Sequence, residues 1–344
     1  MPCYHPLKAF IVGYKDNGKK DIKVTSYETD HIELNGNGQY IERPSRDLPL
    51  VGKPFYDYDT IPCGRCIGCR LQRSKSWADR AVLELPYHDS NLFITLTYDD
   101  DHLPHNKAFD DEGNIIMTET LKKKDLQDFW KRLRKYCDSK GEKIRYLACG
   151  EYGDITFRPH YHAIVFGLSL PDLEPKFKNE LGDWIYTSET LSGIWKNGLC
   201  SVGEATHESI AYVARYVTKK KYGKEAELYE KLNIVPEFIN MSRKPGLGRE
   251  YYEENKDKLF TQTKYFFPIR DGVGSATPGR YFSNLFELDY DSESVQSRKD
   301  KLKGLYEDRV KLSLSKTDKN YLDYLSSQEY IKENRTKSLV RNQL

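Results

Sequence analysis

The pattern of apolar and polar positions divides the chain into three parts. Residues 1–70 are rich in turns, and short strands are expected at Lys8–Val12 and Gln39–Ile41. Residues 71–225 alternate predicted strands and helices. Residues 226–344 are polar and less regular, with a strand or two near Lys264–Phe282. We therefore expect an N-terminal module, a central α+β domain and a C-terminal variable region that is partly helical or disordered.

Two kinds of periodicity mark the central part. Asn91–Tyr98 is rich in β-branched and aromatic residues, as in a strand, and Arg145–Cys149 and His160–Leu168 are also predicted strands. Helices are predicted at residues 72–85, 122–140 and 207–221. The clearest of them, 122–140, repeats apolar residues at helical spacing. Its core positions are Leu126, Phe129, Trp130, Leu133 and Cys137.

A histidine pair on one predicted strand is the first candidate for chemistry. His160 and His162 flank Tyr161, and residues two apart on a strand point to the same face. If the preceding strand pairs with this one as a hairpin, the carboxylate of Glu151 reaches both imidazoles. Such a mixed nitrogen and oxygen set suits catalytic Mg²⁺ or Mn²⁺. The alternative is that these are ordinary strand residues.

A tyrosine pair on the predicted helix 207–221 is the second candidate. Tyr212 and Tyr216 lie four residues apart on one helix face, and Lys219 follows three residues later. A phenol, whose pKa is about 10, needs activation before it is a nucleophile. Aromatic core packing is the alternative, although Ile210, Val213 and Val217 already offer that helix an apolar face.

The cysteines indicate a second metal site. Three of the seven cysteines, Cys63, Cys66 and Cys69, lie within seven residues, a spacing that suits structural Zn²⁺. Cys3 or His5 could supply a fourth ligand. An iron–sulfur cluster and unbound reduced cysteines are the alternatives.

Charge and missing motifs narrow the function further. Lysine and arginine total 54 against 52 acidic residues, so only local basic patches could bind nucleic acid. Residues 120–145 form such a patch, with ten basic and four acidic residues. There is no P-loop for ATP hydrolysis. There is also no secretory signal or membrane-spanning apolar run, so we expect a soluble protein in a reducing cytoplasm without a membrane partner.

Taken together, these segments resemble the HUH endonucleases, named for two histidines that flank one bulky residue. The three ordered motifs of that family are matched by Phe93–Tyr98, Arg158–His162 and Tyr212–Lys219. The segments PCGRCIGCRLQRSKSWADRAVLE, FITLTYDDDHLP, CGEYGDITFRPHYHAIVFG and AYVARYVTKK are most similar to replication initiation proteins of the gokushovirus branch of the Microviridae. The similarity covers residues 62–220 well and the C-terminal third hardly at all.

The resemblance implies a fold, a site and a reaction. It implies a central five-stranded antiparallel sheet flanked by helices, with Glu151, His160 and His162 as ligands of Mg²⁺ or Mn²⁺. Tyr212 and Tyr216 would be nucleophiles, with Lys219 near the scissile phosphate. The expected reaction is tyrosine transesterification on single-stranded origin DNA, giving a 5′-phosphotyrosine link that is later rejoined in rolling-circle replication. Expected partners are single-stranded and replicative-form phage DNA and a host polymerase and helicase, in the cytoplasm of the bacterial host.

Two rival functions remain open at this stage. One is a single-strand transposase or plasmid relaxase of the same superfamily, although the former typically carries one tyrosine and the latter a third histidine. The other is a non-catalytic, zinc-containing nucleic-acid-binding protein. Metal-dependent cleavage of a labelled oligonucleotide would separate binding from catalysis.

Overall fold

A computed structural model describes residues 3–153, 156–180, 182–216, 219–270 and 272–337 of the chain. The chain divides into two compact units, one of residues 1–72 with 310–339 and the other mainly of residues 73–309. The assignment of a zinc module to 1–70, a nuclease domain to 71–225 and a variable region to 226–344 stays a prediction. Among the described helices, none has the length and apolar character needed to span a membrane.

Both units contain antiparallel strands. The strands of the first unit are β1 (Leu7–Tyr14), β2 (Lys20–Ser26), β3 (His31–Leu34), β4 (Tyr40–Arg43), β5 (Lys53–Phe55) and β6 (Tyr58–Ile61). Those of the second are β7 (Asn91–Tyr98), β8 (His105–Phe109), β9 (Ile115–Glu119), β10 (Arg145–Tyr152), β11 (Pro159–Phe166), β12 (Glu174–Lys178), β13 (Trp184–Thr187), β14 (Gly198–Glu204), β15 (Phe238–Met241), β16 (Tyr265–Ile269) and β17 (Gly272–Ala276).

Helices are spread along the whole chain. They are α1 (Ile67–Glu84), α2 (Lys123–Asp138), α3 (Glu189–Trp195), α4 (His207–Arg215), α5 (Glu227–Lys231), α6 (Arg249–Thr261), α7 (Arg280–Asp289), α8 (Ser292–Leu314) and α9 (Tyr321–Lys337). Short 3₁₀ turns occur at Leu85–Tyr87 and Gly223–Ala226. The protein is therefore a mixed α+β protein.

A large antiparallel sheet organises the second unit. Its strand order is β12-β13-β14-β7-β11-β10-β15, so β11 lies inside the sheet between β7 and β10. Both faces of β11 are covered, because His162, Ile164 and Phe166 point to one side and the alternating residues to the other. Helix α4 packs in the core on the histidine side and α2 in the core on the opposite side.

The sheet is wider than the five strands expected from the resemblance, since seven strands are joined in the described part of it. The additional pair is β12 and β13, which follow a loop that contains Pro171. Only one residue pair, Tyr186 with Val202, connects β13 to β14. This two-stranded ribbon extends the sheet at one edge. Among the described strands, neither strand of the ribbon pairs with β11, which carries the histidines and pairs with β7 and β10.

The strongest sequence predictions agree with the observed elements. Strand β7 has the predicted bounds, and α2 falls within the predicted 122–140. All five predicted core residues of α2 are buried. Asp125 lies in its first turn, where a negative charge stabilises the helix dipole.

Helix α4 differs from its prediction at one end. Its N-terminus is fixed by a reciprocal cap, in which the side chains of Thr206 and Ser209 bond to each other's backbone N–H. The helix ends at Arg215, well before the predicted residue 221, and Tyr216 is its C-cap. β-branched residues follow in the sequence, and these are weak helix formers. One of them, the predicted core residue Val217, lies outside the described residues.

Candidate functional site

The two predicted ligand strands form a hairpin that brings Glu151, His160 and His162 together. Strands β10 and β11 are antiparallel, with Glu151 opposite His160. One carboxylate oxygen of Glu151, Oε1, lies 2.9 Å from Nε2 of His160 and 2.9 Å from Nε2 of His162. Glu151 and His162 are 2% and 3% exposed, whereas His160 is only half-buried. The three groups thus converge at the edge of the core.

The other ring nitrogen of each histidine is held by a neighbour. Nδ1 of His160 lies 2.9 Å from the backbone carbonyl oxygen of Arg158, which only accepts, so this nitrogen carries the proton. Nδ1 of His162 lies 2.9 Å from the hydroxyl of Thr95 on β7, which can accept in the same way. Both Nε2 lone pairs then face Glu151, the arrangement in which imidazoles bind a metal ion.

The donor set of this cluster fits a divalent cation. One ligand atom from each of Glu151, His160 and His162 lies within 4.8 Å of the others. In these tautomers two imidazole lone pairs and a carboxylate converge, an arrangement that a cation among them would stabilise. Burial disfavours the charged carboxylate, but when each Nε2 instead carries a proton, hydrogen bonds from both imidazoles outweigh burial and hold the pKa of Glu151 below its ordinary value. Burial also lowers the pKa of His162, which favours its neutral, ligating form.

Both predicted tyrosines lie against this cluster. The Tyr212 and Tyr216 rings are 5.0 Å apart, and their centroids lie 5.2 Å and 5.6 Å from the His162 ring. The Tyr216 side chain is buried beside Glu151 and Tyr212. Burial, and then the charge of Glu151, raise the pKa of Tyr216, so its hydroxyl stays protonated at neutral pH.

Lys219 links the carboxylate to a tyrosine. Its Nζ is 2.6 Å from Oε2 of Glu151, the oxygen that faces away from the imidazoles. The same Nζ lies 4.5 Å from the centre of the Tyr216 ring. A cation on the face of the ring favours the phenolate and opposes the effect of Glu151. The structure therefore brings together all six residues predicted for this site: Glu151, His160, His162, Tyr212, Tyr216 and Lys219.

The residue between the two histidines anchors the strand from the opposite face. The Tyr161 hydroxyl accepts a hydrogen bond from the backbone N–H of Lys122 at 2.9 Å and donates one to the carbonyl of the same residue at 3.0 Å. It also lies 2.9 Å from the hydroxyl of Tyr98, which donates to Asp125 in the first turn of α2. This buried network fixes β11 against the start of α2 and so limits movement of both imidazoles.

Thr95 is the residue of this site that sequence reasoning did not assign. Phe93, Thr95 and Thr97 alternate along β7 and face the histidine side of the sheet. The available signal was the hydroxyl of Thr95, two residues after the buried Phe93 on the same strand face. Its meaning depends on the pairing of Thr95 with His162, which the sequence does not reveal.

The cysteine cluster lies in the first unit, whereas the histidine and tyrosine cluster belongs to the second. The sulfur atoms of Cys3, Cys63, Cys66 and Cys69 all lie within 4.8 Å of one another, and none of the four is in a disulfide. Cys3 therefore joins the other three, whereas the His5 ring is 2.6 Å from Glu329. The cluster packs with Tyr4, Ile67 and Leu325 of α9.

This cluster has the dimensions of a tetrahedral thiolate site. With Zn–S bonds of about 2.3 Å, neighbouring sulfurs lie about 3.8 Å apart, and those of Cys3 and Cys66 are 3.9 Å apart. Backbone N–H groups also point at the sulfurs. The N–H of Tyr4 lies 3.3 Å from the Cys66 sulfur, and that of Cys63 lies 3.2 Å from the Cys3 sulfur. Such donors stabilise negative thiolates, the form that binds zinc.

The segment that carries the histidines and tyrosines is also the segment that matches a known protein family. A family model described as replication-associated protein ORF2/G2P matches residues 91–221, which include both histidines and both tyrosines. The chain is 34% identical over 301 residues to the replication-associated protein ORF2 of Spiroplasma virus 4, covering 85% of this chain and 88% of that protein.

Two further relatives have similar names. Replication-associated protein VP4 of Bdellovibrio phage phiMH2K is 31% identical over 264 residues, which are 70% of this chain and 77% of that protein. Replication-associated protein ORF4 of Chlamydia phage 1 is 41% identical over 166 residues, which are 46% of this chain and 38% of that protein. No solved structure matches the chain significantly. From the extent of these matches, the chain belongs to the replication-associated protein ORF2/G2P family.

Proposed function

We propose that this protein initiates rolling-circle replication of a phage genome by nicking single-stranded origin DNA through a tyrosine. Its relatives are named as replication-associated proteins of phages that infect bacteria. The observation that carries the proposal is the convergence of Glu151, His160 and His162 with two tyrosine rings packed against His162. The second unit would then be an HUH nuclease, in which the histidine strand lies within an antiparallel sheet.

The reaction proposed is transesterification. The tyrosine hydroxyl loses its proton as its oxygen bonds to the scissile phosphorus, the bond from phosphorus to the 3′-oxygen breaks, and that oxygen takes up a proton to become a 3′-hydroxyl. The products are a 5′-phosphotyrosine link and a 3′ end that a host polymerase extends, with a host helicase separating the strands. A later transfer to that hydroxyl rejoins the strand. The bond energy stays in the phosphotyrosine link, so no ATP is required, in agreement with the missing P-loop.

The side chains of the site have distinct tasks in this proposal. Glu151, His160 and His162 would hold Mg²⁺ or Mn²⁺, which when bound supplies Lewis-acid polarisation of the scissile phosphate. Lys219 orients Glu151 through its 2.6 Å ion pair and favours the ionised form of Tyr216 from above the ring. Thr95 and the Arg158 carbonyl keep the imidazoles in the ligating tautomer.

One experiment tests the proposal directly. The intact protein is incubated with labelled single-stranded phage DNA that contains the origin, with Mn²⁺ or Mg²⁺, and resolved on a denaturing gel. We expect the protein to be joined to the 5′ end of the downstream fragment and the upstream fragment to have a free 3′-hydroxyl. Binding without metal-dependent cleavage would contradict the proposal and favour a non-catalytic nucleic-acid-binding protein.

Thr95→Val tests the positioning of His162. The change keeps the shape of the side chain but removes the hydrogen-bond partner of Nδ1. Loss of such a partner typically weakens metal affinity by about 10-fold to 100-fold. Calorimetric titration with Mn²⁺ measures this affinity. Thr97→Val, on the same face of β7, is the matched control and should bind Mn²⁺ normally. Equal affinities in the two variants would contradict the role of Thr95.

We further propose that Cys3, Cys63, Cys66 and Cys69 hold a structural Zn²⁺. Elemental analysis of the purified protein should find about one zinc per chain and no iron. Cys66→Ser removes the most buried ligand, so it should lower the melting temperature and release zinc. Cys200→Ser, at a buried cysteine outside the cluster, is the control and should keep its zinc. A zinc-free protein whose stability is unchanged by Cys66→Ser would rule the site out.

A further inference from the structure

A basic groove lies in the second unit between α2 and the edge strand β15. It has a volume of about 390 Å³. Four of its lining residues are the cations Lys123, Lys131, Arg134 and Arg243, and no acidic residue lines it. All four cationic residues are exposed. A concave surface of this kind, with one sign of charge, attracts anions from solution.

Aromatic side chains form the base of this groove. Trp130 of α2 stacks on Tyr146 of β10, with ring centroids 4.0 Å apart and an interplanar angle of 10°. Both are buried, so neither offers a face on which a nucleobase could stack. Arg134 lies 5.6 Å from the centre of the Tyr146 ring, and Lys123 lies 5.2 Å from that of Phe238. The rings thus hold the cations in place along the groove.

The groove is separate from the candidate catalytic cluster. Tyr146 and Glu151 are five residues apart on β10, which places their side chains on opposite faces of the sheet, about 17 Å apart along the strand. Strand β15 is the last strand on this side of the sheet, so a chain crossing its edge could pass from one face to the other. A neighbouring cavity shares Arg134 and Arg243 but is also lined by acidic residues, which reduce its attraction for anions.

We propose that this groove binds the phosphodiester backbone of single-stranded DNA away from the cleavage site. Phosphate oxygens would pair with Arg134 and Arg243. Because these contacts are to the backbone, the affinity they contribute would not depend on the base sequence. The proposal rests on the proposed function in one respect, namely that DNA is the substrate.

Binding of a labelled oligothymidine strand, without added divalent ions, tests the groove. Each phosphate contact on single-stranded DNA contributes about 0.7 to the slope of log affinity against log salt. Arg134→Gln/Arg243→Gln should therefore weaken binding and reduce the magnitude of that slope by about 1.4. The control is Lys124→Gln/Lys135→Gln, which removes equal charge from exposed positions of α2 outside the groove. It should leave the slope nearly unchanged.

Thermal unfolding establishes that each variant is folded. Equal salt slopes for the arginine double variant and the lysine control would overturn the proposal. A loss of affinity by the arginine variant for duplex DNA alone would also overturn it. Because no cleavage is measured, failure of the wild-type protein to form a covalent adduct would contradict the proposed nuclease and leave this result standing.

Discussion

Replacing both His160 and His162 with alanine is expected to abolish metal-dependent DNA cleavage. Both Nε2 atoms lie 2.9 Å from the same oxygen of Glu151, so the double variant loses two of the three converging donors. Loss of the polarising ion removes several kcal/mol of transition-state stabilisation, which corresponds to about a thousandfold or greater loss of rate. The rate of nicking of origin-containing single-stranded DNA, measured over a range of Mn²⁺ concentrations, gives the comparison.

The controls for this variant address folding. His162 is buried among aromatic rings, so its removal leaves space in the core, whereas His160→Ala alone affects a half-buried side chain. His160→Ala should therefore lose cleavage with little change in melting temperature. His102→Ala, at an exposed histidine that pairs with Asp99, should keep full activity. Normal nicking by a folded double variant would show that the proposed metal site is wrong.

Glu151 has a larger part in this site than its sequence position suggests. From the sequence alone, Glu151→Ala is expected to be milder than loss of a histidine, because water can replace a carboxylate ligand. In the structure, Glu151 contacts both imidazoles, Lys219 and Tyr216. Its removal would release Lys219 as well. We therefore expect Glu151→Ala to reduce cleavage as strongly as His160→Ala.

The sequence predicted the two pairs of residues in this site because the members of each pair lie close together within one regular element. The spacing of His160 and His162 defines a shared strand face, and Tyr212 and Tyr216 share a helix face. Strand β7 and helix α2 were also predicted well, since their apolar residues repeat with the periods of the elements they form. Local periodicity was sufficient in these segments because each is covered by a core on at least one side.

Contacts between distant segments were not predictable in the same way. Strand β14 pairs with β7 about a hundred residues earlier, and β15 is only four residues long in a region of turns. The bond between Thr95 and His162 depends on strand pairing, so no local pattern reveals it. In the first unit, Leu325 of the highly charged helix α9 packs beside Cys66. Because α9 has many charged residues, its sequence did not indicate that Leu325 is buried.

Replacing both Tyr212 and Tyr216 with phenylalanine is expected to eliminate the covalent protein–DNA adduct while DNA binding persists. Phenylalanine keeps the rings that pack against His162 but removes both hydroxyl nucleophiles. The fold should therefore be retained, and the melting temperature tests this. Denaturing gels detect the adduct, and filter binding measures the retained affinity. Tyr222→Phe, which removes a hydroxyl from a half-exposed tyrosine a few residues later, is the matched control and should form the adduct normally.

The two single variants should differ, because rolling-circle replication needs two transfers. The first opens the origin, and the second cuts the regenerated origin so that the circle can be rejoined. Tyr212 and Tyr216 lie about 6 Å apart along a helical axis, close enough to act in turn at one ion. Tyr216 lies beside Glu151 and under Lys219, so we propose that it makes the first attack.

Tyr216→Phe should therefore sharply reduce the first adduct, and Tyr212→Phe should still nick but fail to release closed circles. The measurements are adduct yield with a single origin and circle formation with a two-origin template. Mass spectrometry of the adduct identifies the attached residue. Attachment to a residue other than these two tyrosines would contradict the mechanism as a whole. Equal behaviour of the two single variants would contradict only the order, because each hydroxyl would then reach the phosphate equally well.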